Sequence, residues 1–506
     1  MKASIEREVP RGWPISPATV RAVLSGHGLL GLAFAAIIYL VCLTGTIAIF
    51  APDLARWEQP GLPVVAGLDD RVLNRAVEEA RRQAPAGTTL YVTLPTLAEP
   101  GGTIVAYSET FEKDWAIAAD GSLVAHHMPF TDFLIDLHVA LHLPHSIGGF
   151  VVGLTGVALL SSLISGILAH PRLLRDAFHL RLGGSRRLQE ADWHNRLGIW
   201  ALPFHFTIAL TGALLGLSTI IVGVLAMLLY KGDTAQVYAL FIERSPAVNA
   251  APMPLPDIAP LLEEARRRAP GGYPRQMMIE RAGQADARIA VASDRDHMLA
   301  SQDMSIFDAQ GRLVVDRHPQ DLAVGTKILG GISQLHFGWF GGPLVRLGYG
   351  LLGLALCVVT SSGVTIWLAR RRDKGRAVPL WERLWAAVIW GQPALLGLVA
   401  LLALLAPEVG ARWLLPLWLA GTMALLLVAG LLRTTPWAAI ARPLRLAGAL
   451  CFLSLAVLPL GLGTLWPAGM IGTSLVLLLL AVALVWPYRR RSPQSERARV
   501  SETTAP

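Results

Sequence analysis

The stretch HGLLGLAFAAIIYLVCLTGTI (27–47) places a histidine at the head of a long apolar run, and HNRLGIWALPFHFTIALTGAL (194–214) does so again. Both read His-x-x-Leu-Gly, then an apolar run, then Thr-Gly. His194, Gly198 and Thr211-Gly212 each follow His27, Gly31 and Thr44-Gly45 by 167 residues. An internal repeat on this scale marks duplicated architecture, and here each copy keeps its histidine at the same place.

Apolar runs of ~20 residues span the ~30 Å of a bilayer core, since a helix rises ~1.5 Å per residue. The 506 residues are 53% hydrophobic and 16% charged, with mean hydropathy +0.49, and carry eight such runs. The fold class expected is a mainly α-helical integral membrane protein of about eight transmembrane helices, with two small α+β modules inserted in a duplicated span–module–span core. The order is a cytoplasmic N-terminus (1–27), spans 28–50 and 147–169 around an outer module (51–146), and a cytoplasmic loop (170–197). Spans 198–229 and 344–368 follow around a second module (230–343), then a cytoplasmic loop (369–383). Four further spans lie within 384–487, at 384–406, 413–432, 446–465 and 468–487, and a cytoplasmic tail (488–506) closes the chain.

The net charge of +8 sits beside the spans, in HPRLLRDAFHLRLGGSRR, ARRRDKGR, RTTPWAAIARPLR and YRRRSPQSERAR. Positive-inside bias therefore predicts N-in and C-in, and the charge reports topology rather than a nucleic-acid partner. The first apolar run is too long for a signal-peptide core and reads as an uncleaved anchor. Cys42, Cys357 and Cys451 all fall in apolar runs, so no disulfide framework is expected in the outer segments.

The two outer segments repeat each other. EEARRQAPAG from Glu78 and EEARRRAPGG from Glu263 each read as an amphipathic helix ended by Pro and Gly. Strand-like alternation follows in TTLYVTLP, GTIVAYSE and WAIAADGSLV, and again in RQMMIER, ARIAVAS and MSIFDAQGRLVVD, with Asp120-Gly121 and Gln310-Gly311 at matching turns. Beyond them, Gly350, Gly353 and Gly363 follow Gly153, Gly156 and Gly166 by 197 residues.

This duplication singles out four of the thirteen histidines. His27 pairs with His194 at the inner face and His138, in DLHVALHLPHSIGG, with His336, in SQLHFGWFGG, at the outer face. A pseudo-two-fold brings equivalent residues towards a common axis, and two facing imidazoles supply both axial ligands of a haem iron. Two b-type haems are expected, with Gly31, Gly198, Gly149 and Gly153 leaving room for a flat macrocycle or a close helix. His142, one turn from His138, is the alternative outer ligand, although the repeat selects His138. His205, about 16 Å along its span from His194, is either a ligand nearer mid-membrane or a buried polar relay. His170 reads as a helix end, and His126, His127, His145, His297 and His318 as solvated residues of the outer segments. Trp339, Trp367, Trp413, Trp466 and Trp486 sit at span edges, as an interfacial belt does.

HExxH, P-loop, Gly-x-Ser-x-Gly, CxxC and Gly-x-Gly-x-x-Gly patterns are all missing, so neither a flavin nor a nicotinamide domain is visible. Electrons would arrive from a quinol or a separate protein.

The motifs HGLLGL…CLTG, WHNRLGIWALPFH…ALTG, the paired EEARR segments and LHFGWFGGPLVRLGYGLLGLALCVVTSSG resemble the PepSY-associated transmembrane helix family over about residues 20–372. That resemblance implies PepSY-like periplasmic modules in the bacterial inner membrane. Through some members it implies a haem-containing reductase of ferric siderophores, and through others a PepSY domain linked with peptidase inhibition. The alternative function is thus a membrane-anchored peptide-binding or protease-regulating module without redox activity. A permease is a third class suggested by the repeat alone, and the lack of ionisable residues deep in the core spans counts against a proton-coupled version.

Overall fold

The computed structural model describes residues 16–59, 61–63, 65, 67–96, 101–169, 186–240, 248–295, 302–322, 324–461 and 468–486. His170, His297, Trp466, the expected tail 488–506 and most of the loop 170–197 lie outside these residues.

Five helices are each long and apolar enough to cross a membrane, and two bent pairs bring the number to seven among the described residues. The five are α6 (His145–Leu168), α13 (Gly342–Asp373), α14 (Pro379–Leu405), α15 (Pro407–Leu431) and α16 (Trp437–Gly461). The eighth expected span corresponds to the shorter α17 (Ala468–Val485).

The first and third spans differ from expectation. Instead of one straight helix over 28–50, the chain forms α1 (Pro17–Ala33), started by the Ser16 cap, and α2 (Ala35–Ala48), bent by 67° at Phe34. Instead of one helix over 198–229 it forms α7 (Arg186–Trp200), α8 (Leu202–Gly216), bent by 71° from α7, and α9 (Ser218–Tyr230). The breaks at Phe34 and Ala201 are 167 residues apart, so the bend belongs to the repeat. Proline does not cause it: Pro203 sits in the first turn of α8, where it costs no helical hydrogen bond, and copy one has Ala36 there. His27 consequently stands within α1, ahead of the bend, and not at the head of a straight span.

Between the spans, α3 (Ala51–Glu58) and α4 (Asp70–Gln83) lead into β1 (Thr89–Thr93), β2 (Gly102–Ser108), β3 (Phe111–Ile117) and β4 (Leu123–Ala125), then α5 (Pro129–Ala140). The second copy follows α9 with the short α10 (Thr234–Tyr238), then α11 (Ile258–Arg268), β5 (Gly272–Glu280), β6 (Arg288–Arg295), β7 (Asp303–Asp308), β8 (Leu313–Arg317) and α12 (Val324–Phe337). Asp69 and Asp257 cap α4 and α11 by accepting from backbone N–H groups of the first turn. Gly121 and Gly311, at φ +87° and +76°, make the two matching hairpin turns where a side chain would be strained.

The two outer segments are not separate sheets. β1 pairs antiparallel with β5, Leu90 opposite Ile279 and Val92 opposite Met277, giving one eight-stranded sheet in the order β4-β3-β2-β1-β5-β6-β7-β8. α4 and α11 share one core beneath it, in which Leu73, Val77, Ile104, Leu262, Met277 and Phe307 are all buried. Joining the copies at β1 and β5 removes an exposed edge from each half and buries both apolar helix faces together.

In the membrane core, α6 of copy one packs on α8 of copy two, and α13 packs on α2. A Cβ at Gly153 would meet Leu217 at 2.8 Å and one at Gly156 would meet Ala213 at 3.1 Å. The equivalents Gly350 and Gly353 would likewise strike Phe50 at 2.7 Å and Thr46 at 2.5 Å. Small residues here let the helix backbones approach, so each copy's second span is locked to the other copy's first. The C-terminal helices pack on both copies: Leu395, Val399 and Trp418 join Leu54, Trp57, Phe133 and Leu137 of α3 and α5, and Trp385 of α14 joins Cys357, Val364 and Leu368 of α13.

Candidate functional site

The repeat delivers four histidines to equivalent mountings. His138, on α5, directs Nδ1 at the Val41 carbonyl of α2 at 3.0 Å, with the Thr44 hydroxyl at 3.4 Å. His336, on α12, meets the Thr211 hydroxyl of α8 at 3.0 Å and bonds the Ile208 backbone. His27 points Nδ1 at the Ser162 carbonyl (2.9 Å) and Ser165 hydroxyl (3.2 Å) of α6. His194 does the same with Val359 (2.9 Å) and Ser362 (3.1 Å) of α13. A carbonyl only accepts, so Nδ1 is the protonated nitrogen of His27, His138 and His194, and Nε2 holds the lone pair. The Thr211 hydroxyl gives its own proton to the Thr207 carbonyl at 2.6 Å and therefore accepts from His336. Second partners of this kind orient metal-ligating imidazoles.

Each ring also lies on a glycine of its own copy. A Cβ on Gly45 would stand 2.5 Å from Cε1 of His138, and one on Gly212 would stand 2.9 Å from Cε1 of His336. The inner rings rest on Gly166 and Gly363, each with a Cβ distance of 3.3 Å. Of the glycines expected to serve the site, Gly153 packs helix on helix and Gly149 lies near Gly216, while Gly31 and Gly198 face open space.

His138 and His336 come together across the pseudo-two-fold, ring centres 6.2 Å apart and planes inclined by 20°. Two metal–nitrogen bonds of ~2 Å plus roughly 1 Å from each nitrogen to its ring centre add up to the same length, so the separation suits two imidazoles on one metal. No three His, Cys, Asp or Glu side chains converge as a protein-only metal cage among the described residues, and a macrocycle that fills the equatorial positions needs only two ligands. Both histidines line a cavity of about 1300 Å³ that runs from the helices to the end of the sheet. That exceeds the ~300–1,000 Å³ of an ordinary small-molecule site.

His142 is turned elsewhere. Its Nδ1 pairs with Asp136 at 2.6 Å and its ring stacks on Phe133 at 4.7 Å. His205 is fully buried and uses the opposite nitrogen from the other four, giving Nε2–H to the Leu352 carbonyl at 3.3 Å. Its Nδ1 has no hydrogen-bond partner, and neither residue lines the cavity. His126 does line the cavity and is buried; desolvation and then the neighbouring His127 lower its pKa. Beneath it Glu58 accepts from the Phe130 and Thr131 backbone N–H groups and so caps α5, the helix that carries His138. Asp132, in the first turn of α5, is pushed up to about 7 by burial and by Asp114, Glu58 and Glu112.

Ser165 and Ser362 do not stand out in the sequence, and Thr44-Gly45 and Thr211-Gly212 stand out there only as markers of the repeat, not as the hydroxyls and glycines that hold the rings. The 167- and 197-residue offsets carry the signal that could find them, since each of these residues has its counterpart at the same spacing.

A duplicated helical bundle with a shared sheet on one face and a chamber lined by two histidines defines a multi-pass membrane protein. The chain belongs to the PepSY-associated TM region family, which matches residues 24–370. It is also 30% identical over 321 residues to an uncharacterised protein of Pseudomonas aeruginosa, covering 60% of this chain and 81% of the other.

Proposed function

We propose that the chain is a di-haem electron-transfer protein of the bacterial inner membrane that reduces ferric iron, carried in siderophore complexes, at the periplasmic face. His138 and His336 would hold the outer haem b and His27 and His194 the inner one; a bound haem supplies one-electron chemistry at a potential set by its axial ligands and surroundings. The observation that carries this reading is the 6.2 Å pairing of two imidazoles from different copies inside a cavity open towards the sheet. The chain's own residues fix the tautomers and leave space beside the outer pair for an acceptor. A quinol or a separate reductase on the other side would supply the electron, and Fe(III) in the chelate would take it to become Fe(II), a poorer partner for hard oxygen donors.

The test is rapid mixing of the chemically reduced protein, in lipid nanodiscs, with a ferric siderophore. Reoxidation of a b-type spectrum together with trapping of Fe(II) by a ferrous chelator is expected. A reduced haem that no ferric complex reoxidises would leave electron transfer but remove iron as its acceptor.

A further inference from the structure

One short run of the cavity wall carries two soft donors. His126 and Met128 both line the cavity while His127 between them is exposed, so the alternation of β4 continues up to Pro129, the first residue of α5. Residues two apart on an extended chain lie on one side about 7 Å from each other, close enough for two side chains to reach one ion. Gln59 pins the run from both directions: its Nε2 donates to the Ala125 carbonyl at 2.9 Å and its Oε1 accepts from the His127 backbone N–H at 3.0 Å. The His126 N–H is held by the Asp114 carbonyl at 3.1 Å. A run fixed in this way presents its side chains with little left to reorganise.

Both donors are free to act. His126 is only 9% exposed, and among the described residues its ring has no hydrogen bond or ion pair. Burial, then the neighbouring His127, lower its pKa, so the imidazole is neutral and keeps a lone pair. The Met128 sulfur also has no hydrogen-bond partner among the described residues, whereas that of Met253 accepts from Gln310 at 3.2 Å.

We propose that His126 and Met128 form a binding site for monovalent copper in the wall of the cavity. A thioether selects Cu(I) over harder ions such as ferric iron, and a neutral imidazole suits copper as well. Cu(I) accepts few ligands, so two donors serve it where no three His, Cys, Asp or Glu side chains converge among the described residues. The site requires neither haem nor the reduction of iron.

The experiment titrates the full chain in phosphatidylcholine nanodiscs with Cu(I), without oxygen, against a chromophoric Cu(I) chelator. Met128→Leu and His126→Gln are measured beside it; leucine keeps the volume of methionine, so that variant retains the fold. The parent is expected to bind Cu(I), and each variant to hold it at least about tenfold more weakly. X-ray absorption at the copper edge should show nitrogen and sulfur neighbours in the parent and no sulfur in Met128→Leu. Zn(II), which a thioether does not attract, should bind the parent and Met128→Leu alike. A parent that takes no Cu(I), or an affinity unchanged in Met128→Leu, overturns the proposal. So does a sulfur neighbour that survives in Met128→Leu, which would assign the copper to Cys42, Cys357 or Cys451. No readout passes through haem: a haem-loaded chain that ignores Cu(I) sinks this site alone, and a haem-free chain that binds it sinks only the reductase.

Discussion

The Thr211 hydroxyl lies 3.0 Å from Nδ1 of His336, while its counterpart Thr44 lies 3.4 Å from Nδ1 of His138. Both hydroxyls spend their protons on their own helices, on Thr207 and Leu40, so each offers the imidazole only a lone pair. An acceptor at Nδ1–H makes the ring a stronger donor to a ferric centre, and removing it should raise the outer potential. A hydrogen bond of ~0.5–1 kcal/mol corresponds to about 20–40 mV for one electron. Potentiometric titration of Thr211→Val is expected to show a rise of that order, with a smaller one for Thr44→Val and restoration in Thr211→Ser. An unchanged potential in Thr211→Val would leave the hydroxyl a packing role only.

Gly45 and Gly212 permit no side chain without moving a ring. Gly212→Ala should push His336 aside and Gly45→Ala should displace His138, each emptying the outer site while the inner one stays loaded. A Cβ on Gly223, in α9, would meet nothing within 4 Å, so Gly223→Ala is the control and should stabilise its helix by up to about 1 kcal/mol. Haem-to-protein ratios of the three purified variants decide this, and a full complement in Gly212→Ala would contradict the cradle.

Much of the fold and site is legible in the sequence, and the parts that are not share a cause. The duplicated spans and the hairpins at Gly121 and Gly311 follow from local pattern plus the repeat, and the repeat also marks His138 and His336 as the two rings that face each other. The union of β1 with β5 joins residues nearly two hundred positions apart, and nothing in either strand's alternation names its partner. The bends at Phe34 and Ala201 carry no common proline, so the helical periodicity runs through them undisturbed. In the sequence Thr44 and Thr211 are only markers of the repeat, because a hydroxyl in an apolar run satisfies itself on its own helix whether or not it also serves a neighbour.

Stability of the sheet should depend on pH through His318. Its Nδ1 lies 2.7 Å from Asp303 and its Nε2 3.5 Å from Asp316. The hydrogen bond to Asp303 raises its pKa most, burial opposes that, and the charges of Asp316, Asp303 and Asp321 add to the rise. A raised folded-state pKa means that the folded chain holds the proton more tightly. The gain is complete below the unfolded value of ~6.5 and disappears as pH climbs through the raised folded value. Thermal midpoints measured from pH 5.5 to 8.5 should fall across the neutral range in the parent and fall less in His318→Gln. Parallel curves would remove His318 as the cause.

Whether imidazoles from the two copies clasp a haem is read from the reduced-minus-oxidised absorbance spectrum with pyridine haemochrome quantification. It is made on the detergent-purified chain beside His336→Ala and His194→Ala. About two b-type haems per chain are expected, with one lost in each variant and a different one each time. A well-folded parent chain without haem, or variants that keep both, would show that these histidines do not hold one.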